Sequence, residues 1–268
     1  MVLGRHVAKL AALAVVLMPA AALACPPLRD GPHGRVTAVP DGDTVLFETG
    51  MQVRLVGMQA PKLPLGRPGY EAWPKAEEAR QALEALVLDK NVTVRHGGAE
   101  RDRHGRVLGL LFLDDDPDVP VQQQMLAAGW ARVYSFPDNR ACMADLLQAE
   151  SRARAMRLGI WADPYYAVRH ADKPAALLAL KGRYELVEGR ILVADEAGGR
   201  IYLNFGRSFH DDFTAVLDRA AVGLFAKQGL DPLQLGGALV RIRGWMDVSG
   251  GPRIEVTHPE QIEVLATK

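Results

Sequence analysis

Asp41-Gly42-Asp43-Thr44 sets two carboxylates two residues apart at a strand edge, where oxygen ligands can meet a hard cation such as Ca²⁺. The same residues also spell a hairpin, because Asp-Gly accepts the dihedrals of a tight turn, and spacing alone leaves both readings open. Arg54 lies between Val53 and Leu55 in an apolar strand, a position that calls for an anion or a solvated face. Arg101-Asp102-Arg103-His104-Gly105-Arg106 gathers arginines around a glycine turn, as a phosphate grip or as a solvated charged loop. Phe209-His210-Asp211-Asp212 holds a histidine and two acids but lacks the spacing of a complete metal site, and reads as loop. Arg241 and Arg243 alternate with Val240 and Ile242, which reads as the polar, solvated face of one strand.

The elements that must carry these residues follow from periodicity. RVTAV, TVLFE and QVRLVG between 34 and 60 read as short strands. Residues 75–89 have helical spacing, with Ala79, Leu83, Leu86 and Val87 on one side. NVTVRH and VLGLLFL read as two more strands around the arginine loop, VQQQMLAAGWARVY as a short helix running into an extended segment, and 141–158 as a long amphipathic helix ending at Gly159. After a proline-marked break the pattern returns to three strands, a helix over 219–228 and two final strands. The expectation is a mainly β protein with helices (α+β): a five-stranded barrel of the oligonucleotide-binding (OB) type, then a second, smaller OB-like β module. The two halves do not visibly repeat in sequence.

The 268 residues carry 32 bases and 32 acids. Residues 1–24 hold two of those bases and no acid, so a chain starting at Cys25 carries −2. That excludes a bulk polyanion binder working through global charge; any phosphate site must be local. With 49% hydrophobic and 24% charged residues, wholesale disorder is excluded too. Arg5 and Lys9, an apolar run from Leu10 to Met18, and Ala22-Leu23-Ala24 have the order of a secretory signal, so export to the periplasm is expected. The two cysteines then allow a Cys25–Cys142 disulfide in an oxidising compartment, a lipid anchor on Cys25, or two free thiols.

Taken together, VPDGDTV, VRLVGMQAPK, DRHGR, MLAAGWARVY and LLQAESRARAMRLGIW, in this order, resemble the staphylococcal-nuclease-like (thermonuclease) family. The resemblance covers about 34–162. It implies a five-stranded OB barrel with helices, exported in bacteria, that hydrolyses DNA and RNA phosphodiesters with Ca²⁺. Residues from about 180 onward lie outside these motifs and look like the extra C-terminal module of some proteobacterial members. The expected organisation is a signal peptide at 1–24, a thermonuclease-like domain at 25–165, a linker at 166–182 and an OB-like domain at 183–268.

By position, the resemblance makes Asp43 the first metal-binding aspartate, Ala60 the residue lending a carbonyl to the metal, and Arg54 and Arg106 the phosphate clamp. Arg101, Arg103, His104 and Tyr134 become candidate substrate contacts. Two positions depart from the family's D-[TA]-P-E: Gln59 stands at the second metal aspartate and Lys62 at the general base. A charged ammonium cannot take a proton from water, and losing a general base costs roughly 10² to 10⁴ in rate. The expected function is therefore binding of nucleic acid or another anionic partner on a degenerate nuclease barrel with at most a weakened Ca²⁺ site. The alternatives are a metal-dependent nuclease with a substitute base, Glu71 first, and an interaction module for an envelope protein.

Overall fold

The computed structural model describes residues 25–208 and 210–267. The signal-peptide reading of 1–24 lies outside these residues. The first module contains β1 (Arg29–Asp41), β2 (Thr44–Phe47), β3 (Gln52–Leu55), β4 (Gly57–Gln59), α1 (Ala76–Val87), β5 (Asn91–His96), β6 (Val107–Leu113), α2 (Val121–Ala127), β7 (Arg132–Tyr134) and α3 (Met143–Ala155). Strands β1-β2-β3-β6-β5 close a five-stranded barrel in which only β3 and β6 run parallel. Alternation drives the closure: Val45, Val53, Leu55, Val92 and Val94 point inward and are fully buried. Each such side chain contributes roughly 1.5–3 kcal/mol by leaving water. Helix α1 seals one side with Ala79, Leu83 and Val87, the stripe its spacing predicts.

The second module continues with β8 (Arg169–His170), α4 (Pro174–Leu178), β9 (Tyr184–Arg190), β10 (Val193–Ala197), β11 (Arg200–Asn204), β12 (Thr214–Leu217), α5 (Arg219–Lys227), β13 (Leu239–Ser249), β14 (Gly251–Val256) and β15 (Ile262–Ala266). Its sheet runs β10-β11-β12-β14-β13-β9-β8, with β15 beside β13. Ile191 donates to Ala238 and Leu192 to Asn204, so the two residues joining β9 to β10 bond to opposite ends of the sheet. Counting β9 and β10 as one interrupted strand, the order repeats that of the first barrel, including one parallel pair, β12 with β14, and a helix between the third and fourth strands. The strand order repeats although the sequences do not.

Between the modules the structure differs from two sequence expectations. Residues 166–182 are not a free linker: Tyr166 is buried, β8 pairs with β9, and Leu177 of α4 enters the second core. Arg243 is not on a solvated face. It is fully buried, pairing with Glu150 of α3 at 2.8 Å and with Glu263, while its Nη1 donates to the Val133 carbonyl. Burial would raise the Glu150 carboxyl, but Arg243 and Arg154 hold it below its ordinary value. Strand alternation told correctly which side Arg243 points to; it could not tell that the first module covers that side. Arg140 adds a bidentate pair with Glu260 at 2.8 Å, and the Tyr184 hydroxyl donates to the Val133 carbonyl.

Candidate functional site

The site begins with a turn. Asp41 pairs with Thr44 across β1 and β2, leaving Gly42-Asp43 as a two-residue hairpin loop, as the turn reading expects. A side chain at Gly42 would put its Cβ 2.6 Å from the Ala60 Cβ and 3.3 Å from that of Ala79. Glycine is what lets the turn press against the end of β4 and helix α1. The pressure carries both carboxylates inside: Asp43 is fully buried and Asp41 nearly so.

What meets them there is a lysine. Lys62 Nζ donates to Asp43 Oδ2 at 2.5 Å and to Asp41 Oδ2 at 3.0 Å. On the other side of Asp43, Arg54 Nη1 lies 2.5 Å from Oδ1 and also donates to the Asp43 carbonyl at 3.1 Å. The Ala60 N–H donates to Asp43 Oδ2 at 3.1 Å. Burial alone would raise the Asp43 carboxyl, but Arg54 and then Lys62 hold it below the ordinary range. Asp41 goes the other way: burial and the neighbouring Asp43 raise it, and Lys62 offsets only part. One carboxylate is thus firmly ionised and the other sits closer to protonation.

These contacts leave little for a divalent cation. Asp41 and Asp43 are the acids that could ligate one, and two cations already neutralise them. Ala60 contributes its N–H to Asp43, and Gln59 brings a neutral amide whose buried Oε1 has no partner. Adding a +2 ion would place four positive charges against two negative, so the residues present do not fit a calcium centre. Among the described residues no group of three or more His, Cys, Asp or Glu could hold a metal.

The other candidate residues divide into two places. Val107 pairs with Val53, so Arg106 leaves a strand end beside that of Arg54; its Nε pairs with Asp102 at 2.7 Å. Asp102 also accepts from the backbone N–H groups of His104 and Arg106, which fixes the loop as a tight turn. Arg101 donates to the Gly105 carbonyl and Arg103 to His104 Nε2, and all three side chains are exposed. Tyr134 is elsewhere. Its hydroxyl accepts from Trp245 of the second module at 3.0 Å, and its ring packs edge-on against Phe136, Tyr184 and Trp245. Glu71 is exposed on the loop after Lys62, outside the ion-pair cluster. Sequence reasoning missed Asp41 as a partner of Lys62. The signal was there in its two-residue spacing from Asp43, which puts both on one side of the turn.

Cys25 and Cys142 are joined by a disulfide that ties the segment before β1 to the start of α3, 117 residues on. Residue Phe209 of the 209–212 stretch lies outside the described residues; the rest of it is loop between β11 and β12.

The comparisons with known proteins agree with this barrel. A family model described as "Staphylococcal nuclease homologue" matches residues 52–163. An uncharacterized endonuclease of Escherichia coli is 35% identical over 134 residues, 49% of this chain and 78% of that protein. A micrococcal nuclease of Shigella flexneri is 31% identical over 147 residues, 49% of this chain and 75% of its own. A thermonuclease of Staphylococcus hyicus is 24% identical over 132 residues, covering 48% and 75%. With the barrel, its helices and these matches in agreement, the chain belongs to the staphylococcal nuclease homologue family.

Proposed function

We propose that this thermonuclease-like protein binds nucleic acid on its first barrel without calcium-dependent cleavage. The carrying observation is the Lys62 ammonium bonded to Asp41 and Asp43 together. In that place it supplies the positive charge that the family draws from calcium, but it cannot polarise and deliver a water as a metal does. Nor can it serve as base, since its three N–H groups only donate. Binding is left to the exposed side chains of Arg101 and Arg103, with the half-buried Arg106 in the same loop. Single-stranded nucleic acid suits a short basic loop, because phosphates supply the affinity regardless of sequence.

Export is part of the same reading. The Cys25–Cys142 disulfide supports an oxidising compartment, and a Cys25 sulfur held in a disulfide is not available for lipid attachment.

Plasmid nicking with Ca²⁺, Mn²⁺ or EDTA, together with oligonucleotide binding at several salt concentrations, tests this proposal. The expected result is no metal-dependent cleavage, with binding that weakens as salt rises. Arg103→Ala should lower the salt slope by about 0.7, the share of one phosphate on a single strand. The double change Gln59→Asp with Lys62→Glu should create calcium-dependent cleavage of single-stranded DNA. Robust wild-type cleavage stopped by EDTA overturns the proposal. Cleavage that resists EDTA overturns it too, because the site would then do more than bind.

A further inference from the structure

The second barrel has a concavity of its own. The outward side chains of β10, β11, β12 and β14 line a cavity of about 680 Å³, inside the range of roughly 300–1,000 Å³ usual for small-molecule sites. Ile201, Leu203, Ala215 and Ile254 point into the core, so their alternating neighbours Tyr202, Asn204, Thr214 and Arg253 must point out. Cross-strand register assembles them: Asp195 is beside Tyr202, and Asn204, Thr214 and Arg253 follow one another across three strands. The Thr214 hydroxyl donates to Asn204 Oδ1 at 3.1 Å, which leaves the amide N–H₂ of Asn204 for another acceptor. At one end the loop before β12 and the β13–β14 hairpin touch, since a Cβ on Gly251 would come 2.5 Å from the Asp212 carbonyl oxygen. The groove is therefore walled at that end and floored by strands.

We propose that this groove binds a neutral oligosaccharide. Its charges argue against a nucleic-acid strand. Arg200 and Arg253 are matched by Asp195 and Asp212, and Arg253 is already paired with Asp247 at 3.0 Å. A phosphate chain carries one negative charge per residue and needs a surplus of cations, which this surface does not offer. Polyhydroxyl rings need the opposite: carboxylate and amide acceptors, fork-shaped donors, and a flat apolar face. Asp195, Asn204 and Arg200 supply the polar edges, and the Tyr202 ring supplies the face on which a sugar can stack. The barrel face formed by the second and third strands is also where OB-type barrels present oligosaccharides or oligonucleotides.

The probes are chitohexaose, cellohexaose and a twelve-residue oligothymidylate, each titrated into the purified protein by calorimetry at 50 and 500 mM salt. The expected result is binding of at least one hexasaccharide in the millimolar range or tighter, unchanged by salt. Tyr202→Ala and Asp195→Ala, both at positions outside the core, should each weaken it about tenfold. Absence of binding by both hexasaccharides up to 10 mM overturns the proposal. So does hexasaccharide binding that both groove variants leave intact. Salt-sensitive oligothymidylate binding that Tyr202→Ala abolishes overturns it in favour of a nucleic-acid face.

Discussion

Replacing Lys62 by Met removes the ammonium while keeping most of the side chain's volume, so the change isolates charge from packing. Lys62 is 17% exposed, Asp41 5% and Asp43 0%, so the pair is a buried one. Removing one partner of a buried pair costs about 3–5 kcal/mol. The lower end applies here, because Asp43 keeps Arg54 at 2.5 Å and Asp41 can relieve its charge by taking a proton. That relief fixes the pH dependence. Asp41 is raised already in the native protein and rises further without Lys62. The folded variant then holds a proton that the unfolded chain releases above about pH 3.9, so its stability falls as pH increases from 4 to 7. The destabilisation relative to wild type should be smaller at pH 4 and grow to about 3 kcal/mol at pH 7, read from urea unfolding. Calcium supplies a second reading. Asp41 and Asp43 without the ammonium resemble a weak site with a Kd of about 1 mM, and 10 mM Ca²⁺ should then return about 1.4 kcal/mol to the variant and nothing to wild type. A difference below about 1 kcal/mol that stays flat across this pH range would refute the internal-cation reasoning.

Two further outcomes concern the junction between modules. Arg243→Met strips the buried Glu150 of its closest charged partner and should cost about 3–5 kcal/mol in calorimetric or denaturant unfolding, whereas Arg243→Met with Glu150→Gln should recover part of that loss. His258 is buried against Ser135 at 2.7 Å, and burial pushes its pKa down to about 4. The Thr257 hydroxyl donates to Gln261, so His258 Nδ1 donates to Thr257 and Nε2 accepts from Ser135. Below about pH 6.5 the unfolded chain takes up a proton that folded His258 refuses, so stability should fall by about 2–3 kcal/mol between pH 6.5 and 4. His258→Gln should flatten that part of the curve, and NMR titration of the imidazole should place its midpoint near 4.

The barrel was legible because its information is local. Alternation in TVLFE, QVRLVG and VLGLLFL, and the one-sided stripe of 75–89, state which face is buried before any partner is known. The five motif segments then named the family. What stayed hidden depends on a second surface. Alternation gave the same pattern for Arg243 whether solvent or Glu150 lay opposite, and nothing near Tyr134 in the sequence, where it read as a candidate substrate contact, points to Trp245 and Tyr184. The stretch 166–182 looked like a linker because Pro164 and Pro174 break its periodicity, yet its two-residue strand is held by pairing with β9, a contact no short window contains. The Lys62 pairing was half legible: the motif gave the position, and only the fold of the Gly42 turn against Ala60 says that Asp41 joins Asp43 there.

Gln59 and Lys62 are best understood as one change. In the site as it stands, Asp41 and Asp43 supply two negative charges, and Arg54 and Lys62 two positive, so the buried cluster is neutral without any ion from solution. An aspartate at 59 would add a third buried negative charge with no cation to meet it, a cost of several kcal/mol or a proton taken up instead. A glutamate at 62, with the rest unchanged, would set three acids against Arg54 alone. Either single step toward the family pattern therefore destabilises the fold unless a divalent cation comes with it, and the cation binds well only after both. An ammonium at 62 and an amide at 59 meet the electrostatic requirement of the turn from within the chain. On the proposed reading, the arrangement keeps the barrel folded without calcium, with Lys62 bonded to the carboxylates that a metal would need.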